Sequence, residues 1–440
     1  MKTLLLVSYY FPPRPQVGAV RPAGLAKYLG EFGWDVIVLT PELPSGQRPP
    51  VRIVETGYCD VLDKWRARFR IDPKRGLHQQ LHLPLNSKMR SHQPHTAFVW
   101  LVRSLLLYPD GIKGWLPFAV KAARKLFREQ PIDALVTTSP PITAHLIGHE
   151  LKKVFKCPWI ADFRDLWTQN IAYSPRIFLP FEKRLEKRTL SNADMLVAVS
   201  DPWADKLRQR YQPIPVHTIS NGFDPDEFAG ASPRLTDVFS ITYTGQLYRG
   251  QRDPSPFLEA LGELISEGAL QRNKVKVRFF GPAEPWLPKL ISDYGLSDVI
   301  ALCGTVGRQE AIRYQRESQI LLLLGWHDRR EVGQHTGKLF EYLGSQRPIL
   351  AVGGGRGVLT EVLEATEAGL HALSKQQIRE YLIQAYAQFR ETGEVRYQGI
   401  ESEINRYTHR EMSRQYAQLL DSLTPSPAGI DSPIYAQVPR

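Results

Sequence analysis

The strongest constraint on what this chain can fold into lies late in the sequence. There Gly333-Gln334-His335-Thr336-Gly337-Lys338-Leu339-Phe340-Glu341-Tyr342-Leu343 runs directly into Gly344-Ser345-Gln346-Arg347-Pro348-Ile349-Leu350-Ala351-Val352. A polar loop ends at Thr336, whose hydroxyl can cap a short helix, and the helix stops at Gly344 before a buried strand begins at Pro348. A loop, a helix N-terminus and a strand therefore meet, as they do throughout α/β proteins. The first turn of such a helix presents unpaired N–H groups, and Gly337 and Lys338 open it, so an anion such as a diphosphate can be held there. Glu341 follows one turn later, where its carboxylate can accept hydrogen bonds from a ribose diol. An ordinary capped helix satisfies the same residues.

The pattern recurs along the chain. Residues 1–40 read as a strand (Thr3–Ser8), a loop with Pro12, Pro13, Pro15 and Gly18, a helix (Arg21–Phe32) and a second strand (Trp34–Leu39). That is a βαβ unit whose loop leaves the carboxyl end of the first strand, where open α/β sheets bind ligands. The loop lacks GxGxxG, and only Gly18 supplies a close backbone approach, with Arg21 just beyond. Positions 41–95 are rich in Pro, His and basic residues and read as an irregular, mobile insertion. After a helix over Trp115–Arg128 and a strand over Ala134–Thr138, His145 and His149 stand at i, i+4. They lack the HExxH order and a nearby third ligand, so surface or capping roles fit better than a metal.

A strand at Pro158–Ala161 runs into Asp162-Phe163-Arg164-Asp165. Two carboxylates flanking an arginine at a strand's carboxyl end stand where catalytic groups collect in doubly wound sheets, and a structural ion pair is the competing reading. A helix over Leu179–Ser191 and a strand over Ala193–Ser200 follow. Asn221-Gly222 then forms a tight turn, and a second α/β series begins, with strands from Phe239–Thr244 to Gly369–Ala372. Its first loop carries Arg249 and Arg252, which suit bidentate phosphate recognition.

The 440 residues fit two domains of about 200 residues. The expected division is 1–218, 219–405, a helix at 406–423 and a disordered, Pro-rich tail at 424–440. With 42% hydrophobic and 23% charged residues the chain is globular. Cys59, Cys157 and Cys303 are too dispersed for a disulfide framework or a zinc site. No run reaches the roughly 18 apolar residues of a membrane span, so a soluble, cytoplasmic protein is expected.

Between positions 61 and 130, fourteen Lys and Arg face four Asp and Glu, ten of the eleven excess positive charges. The same stretch holds Trp100, Arg103 and Asp110 in or beside an apolar run. A basic, aromatic surface of this kind suits anionic lipid head groups at the inner face of the cell membrane. A solvated basic face over a buried helix is the plainer reading. No motif supports nucleic-acid binding. No Asp-x-Asp pair stands in an obvious metal-binding loop, which leaves arginine, lysine and a helix N-terminus to do the work of a metal.

Several stretches together carry a resemblance. Tyr10-Phe11-Pro12-Pro13 with Gly18 and Arg21, Ala161-Asp162-Phe163-Arg164-Asp165-Leu166-Trp167, Ala198-Val199-Ser200, Ser220-Asn221-Gly222-Phe223-Asp224, Tyr243-Thr244-Gly245 and Gly337 through Leu343 resemble the GT-B glycosyltransferases of family 4. Within that family the branch that builds bacterial surface polysaccharides is the most similar. The resemblance implies two doubly wound, Rossmann-like domains facing each other across a cleft. It also implies a retaining, metal-independent, hexosyltransferase-type reaction without a cofactor, from a UDP- or GDP-linked sugar to a lipid-linked or glycan acceptor.

In that frame Gly18 approaches the donor diphosphate, while Arg249 or Arg252 and Lys338 grip it. Val306 meets the base, Glu341 is the second glutamate of the EX7E motif, and Asp162, then Asp165, stand near the transferred sugar. The resemblance further implies that the last helix, His409–Leu423, crosses back onto the first domain. One position departs from the pattern: the first glutamate belongs eight residues before Glu341, and that residue is Gly333, with Glu331 two positions earlier. Backbone groups of Gly333–Thr336, including His335, are the candidates to replace it. A non-catalytic nucleotide-sugar-binding protein and a GT-B sugar-nucleotide epimerase are the alternative functions.

Overall fold

The computed structural model describes residues 1–60, 108–170, 178–231, 233–248, 250–326, 333–334 and 336–424. The chain divides into two compact units. Unit 1 comprises Met1–Val197, Leu207–His217 and the chain from Ser413 on; unit 2 comprises Ala198–Lys206 and Thr218–Met412.

Unit 1 is built on a seven-stranded sheet of order β3-β2-β1-β4-β5-β6-β7. Its strands are β1 (Lys2–Val7), β2 (Trp34–Pro41), β3 (Arg52–Thr56), β4 (Ala134–Ser139), β5 (Trp159–Phe163), β6 (Met195–Ala198) and β7 (Val216–Thr218). β1 pairs in parallel with both β2 and β4, so the strand order reverses between β1 and β4. Leu4, Leu5, Leu6 and Val7 are all fully buried, as expected for a parallel strand covered on both faces. Helices α1 (Val20–Tyr28), α2 (Leu116–Glu129), α3 (Thr143–Phe155), α4 (Leu179–Leu190) and α5 (Asp201–Tyr211) punctuate the strands.

Unit 2 carries a six-stranded sheet of order β10-β9-β8-β11-β12-β13. These are β8 (Phe239–Thr244), β9 (Val275–Phe280), β10 (Ile300–Gly304), β11 (Ile320–Leu324), β12 (Ile349–Val352) and β13 (Gly369–Ala372). β8 pairs in parallel with β9 and β11, which places the reversal between β8 and β11. The connecting helices are α6 (Ser255–Ser266), α7 (Leu287–Asp293), α8 (Arg308–Arg316), α9 (Gly337–Ser345), α10 (Val358–Thr366) and α11 (Lys375–Thr392). Short α12 (Glu401–Asn405) leads to α13 (His409–Leu423), whose residues from Ser413 pack in unit 1.

One expectation is corrected here. The stretch after residue 41 is not wholly irregular, because β3 pairs in parallel with β2 over Ile37 to Pro41. The helix over Asp201–Tyr211 stands in a stretch to which no element was assigned from the sequence. Residues 61–95 of the expected insertion and 425–440 of the expected tail lie outside the described residues.

Candidate functional site

In unit 2 the crevice at the carboxyl ends of β8 and β11 is where a doubly wound sheet binds ligands. Gly245 ends β8 with φ +130°, and a Cβ there would stand 1.7 Å from Lys338 Cε and 2.0 Å from its Nζ. The positive φ favours glycine, and the missing side chain leaves room for the lysine to lie across the strand end. Lys338 is half-buried and makes no ion pair among the described residues. Burial holds its ammonium below the ordinary value, Glu341 opposes that, and Arg252 and Arg308 reinforce it.

Arg252 donates from Nη2 to Thr336 Oγ1 at 3.4 Å and from Nη1 to Gln246 O at 3.2 Å. Its guanidinium also lies 5.4 Å from the ring centre of Tyr248 and 6.0 Å from that of Trp326. Lys338, Arg252 and Arg308 thus gather against the two carboxylates of Glu341 and Glu227, an excess of positive charge that suits an anion.

Thr336 is the N-cap residue of α9, but its hydroxyl makes no capping bond and accepts from Arg252 instead. The first-turn N–H groups of α9 are therefore not occupied by the side chain expected to satisfy them. The helix ends one residue beyond Gly344, with Gln346 in the left-handed conformation.

Glu341 lies inside a network. Arg308 Nη1 donates to its Oε2 at 3.0 Å, and Gln315 Nε2 donates to its Oε1. Arg308 is itself gripped by Glu227, with Nε to Oε1 at 2.7 Å and Nη2 to Oε2 at 2.5 Å. Gln315 also donates to Thr244 Oγ1 at 2.9 Å, and Thr244 N donates to the buried Tyr342 hydroxyl at 2.9 Å. Val306 is half-buried in the loop between β10 and α8.

Gly333 is closed in from one side. A Cβ on it would meet Trp203 Cδ1 at 2.4 Å and Nε1 at 2.7 Å, while Ser200 Oγ donates to its carbonyl at 2.7 Å. A side chain at this position would press on the indole.

Next to this crevice, a cavity of about 50 Å³ is bounded by Arg252, Trp326, Thr336 and the loop Gly353-Gly354-Gly355-Arg356-Gly357. Gly353 and Gly354 both have positive φ, +87° and +80°. His371 fixes the loop by donating from Nε2 to Gly353 O at 2.8 Å, and its Nδ1 accepts from Thr360 Oγ1 at 2.8 Å. The glycine run between a buried strand and a helix was a readable signal of a phosphate-type loop, and it went unread.

In unit 1 the expected site residues are found in other roles. Asp162, proposed as catalytic, is fully buried and saturated. It accepts from Arg21 Nε at 3.2 Å, Arg21 Nη2 at 3.0 Å, Thr138 Oγ1 at 2.6 Å and the Tyr416 hydroxyl at 2.6 Å. Burial alone would raise its pKa, but Arg21's charge and these donors bring it below the ordinary value. Arg21, which follows Gly18 of the first βα loop and was expected to face the acceptor, is 3% exposed and is the other half of this pair.

Gly18 turns its carbonyl to Arg164 Nη1, and Arg164 also donates to Ser139 O at 3.2 Å and to Pro140 O. That arginine, half-buried, ties together the loops after β1, β4 and β5. Asp110, also assigned to the acceptor region, accepts from Thr143 N and Thr143 Oγ1, both at 2.7 Å, and so caps the start of α3. Asp165 is half-buried beside Arg164, whose pKa burial lowers while the charges of Asp162 and Asp165 oppose that shift.

His145 and His149 do not converge: Nδ1 of the first meets Thr137 Oγ1 at 2.8 Å, and Nδ1 of the second meets Thr189 O at 2.9 Å. Arg249, His335, Trp100 and Arg103 lie outside the described residues, as does Glu331.

Comparison with known proteins adds the family. Residues 19–227 match the family model for Glycosyltransferase Family 4. No curated protein sequence matches the chain. Among solved structures, the sucrose-phosphate synthase of Thermosynechococcus elongatus is similar at 16% identity, over 96% of this chain and 99% of that one, with a TM-score of 0.61. A glycosyltransferase from Rickettsia africae ESF-5 matches at 16% identity over 97% and 99%, with a TM-score of 0.60. The Anabaena protein HepE, solved in complex with UDP and glucose, matches at 13% over 96% and 100%, with a TM-score of 0.60. At these identities the likeness is one of fold. Residues 19–227 therefore form a Glycosyltransferase Family 4 domain, and the chain is a glycosyltransferase with the two Rossmann-like, parallel-sheet units of the GT-B fold.

Proposed function

We propose that the chain transfers a hexose from a UDP- or GDP-linked donor to a lipid-linked or polysaccharide-precursor acceptor, with retention at the anomeric carbon and without a divalent metal. The observation that carries the donor assignment is the gathering of Lys338, Arg252 and Arg308 at the β8/β11 crevice, three cations against the two carboxylates of Glu341 and Glu227. A diphosphate bound there balances the excess. As the bond from sugar carbon to phosphate oxygen breaks, the leaving diphosphate gains charge that fixed cations already face, which lowers the barrier. Glu341 then meets the ribose and Val306 the base. HepE supports a UDP-type donor by analogy, since it was solved with UDP and glucose.

The acceptor side is drawn from unit 1. Helix α2 presents Lys121, Arg124, Lys125 and Arg128 along a groove of about 630 Å³ that also has apolar walls at Leu116 and Val120. Phe118 and Phe181 are 39% and 67% exposed. Basic side chains interleaved with exposed aromatics favour an anionic lipid surface. Among the described residues no helix is long and apolar enough to cross a membrane, so the contact we propose is peripheral, on the cytoplasmic face.

A thermal-shift series with UDP, GDP and ADP, with and without EDTA, tests the donor half. One diphosphate at 100 times its Kd stabilises the fold by about 2.7 kcal/mol whether or not EDTA is present. Loss of the shift in EDTA would remove the metal-free assignment, and no shift with any nucleotide would remove the site. Conversion of a sugar nucleotide without any acceptor would mark an epimerase instead.

A further inference from the structure

We propose that Gln315 and Arg308, neither of which touches the nucleotide, aim the Glu341 carboxylate and thereby set a preference for ribonucleoside over 2′-deoxyribonucleoside diphosphates. The inference rests on the reading of Glu341 as the ribose contact. The two residues stand seven apart on α8, two turns along one helical face. They reach opposite oxygens of the same carboxylate, Arg308 at Oε2 and Gln315 at Oε1.

Neither donor is free to turn. Gln315 is fully buried, its Oε1 accepts from Ser345 Oγ at 2.8 Å, and its Nε2 is shared between Thr244 Oγ1 and Glu341. A flipped amide would set an oxygen against the carboxylate and turn its NH2 toward the donating Ser345 hydroxyl. The Arg308 fork is pinned at Nε and Nη2 by Glu227, which leaves Nη1 to reach Glu341. The carboxylate plane is therefore fixed from two sides.

An ionised carboxylate has about four lone-pair sites. The two protein donors take one on each oxygen, and one on each oxygen remains. Two acceptors side by side, in a fixed plane, suit a vicinal diol and discriminate against a sugar that lacks one hydroxyl. A freely rotating glutamate would adjust to a single hydroxyl at little cost. Discrimination therefore lies with the residues behind Glu341 as much as with Glu341 itself.

The test is calorimetric titration of the full chain with whichever of UDP, GDP and ADP binds tightest, and with its 2′-deoxy counterpart. The unmodified chain should prefer the ribonucleotide by about 10-fold, the value of one hydrogen bond to a charged group. In Gln315→Leu that ratio should fall to within about 2-fold, through weaker ribonucleotide binding with the deoxy affinity nearly unchanged. Arg308→Gln, at a more exposed position, should move the ratio the same way and serves if the buried substitution fails to fold. Equal weakening of both nucleotides, or a preference intact in both variants, would overturn the positioning role. Binding without ribose preference in the unmodified chain would overturn it too while leaving the diphosphate site standing, whereas no binding of any diphosphate would bring down the site reading itself.

Discussion

Asp162 and Glu341 are both carboxylates held by an arginine near the carboxyl edge of a parallel sheet, yet their surroundings are opposite. Asp162 has four donors on its two oxygens and no solvent exposure. Among the described residues Glu341 has two donors, 19% side-chain exposure, and the charges of Arg308 and Lys338 beside it. A saturated carboxylate has nothing left to offer a substrate and acts as a clasp. An unsaturated one beside surplus cations is a place where part of the chemistry comes from outside.

The sharpest way to break the comparison is to remove each partner. Asp162→Ala should cost about 3–5 kcal/mol of stability, because Arg21 is left as a buried charge without compensation. Urea denaturation reads this directly, and a loss below about 1 kcal/mol would mean that the clasp is not structural. Lys338→Met should behave in the reverse sense. It should leave urea stability unchanged or slightly higher, because a half-buried cation disappears. Diphosphate affinity should nevertheless fall about 10- to 100-fold, equivalent to about 1.4–2.7 kcal/mol by titration. An unchanged affinity would move the anion away from α9.

The smallest effect concerns His145, which borders the clasp. Burial holds its imidazole down at about 3, with Asp162 opposing and Arg164 reinforcing. The unfolded chain protonates it near pH 6.5 and the folded chain does not, so the unfolded state binds more protons between these values. Stability should therefore decline as pH falls from 6.5 toward 3, by up to about 1.4 kcal/mol per pH unit from this group. Denaturation curves of His145→Gln, taken every half unit, should show a shallower decline over that window.

Much of the fold was readable because its strands are continuous apolar runs flanked by loops. β11, Ile320 through Leu324, is buried at every position. β3 escaped notice because an edge strand is only half covered, and Arg52-Ile53-Val54-Glu55-Thr56 carries charge at two of five positions. α5 escaped because Asp201 through Tyr211 is strongly polar, so its helical period is faint.

The same limit governed the site. Lys338 and Glu341 could be singled out together because one short helix carries both. Arg308 and Gln315 were not, since they meet Glu341 from 33 and 26 positions away. The pairing of Asp162 was hidden for the same reason: its partners Arg21 and Tyr416 lie 141 and 254 positions distant. Nothing local distinguishes a catalytic aspartate from a buried clasp.

The distance to Tyr416 has a consequence for biosynthesis. Arg21 and Asp162 are translated early, but the hydroxyl that completes their cluster comes only after residues 218–412 of unit 2 have been made. Until then the surface later covered by Tyr416, Ala417 and Leu420, which end 0%, 4% and 0% exposed, is open on the nascent chain. Unit 1 is therefore the first to emerge and the last to close, and a transcript truncated before codon 416 yields a protein with an apolar seam for chaperones and proteases to recognise.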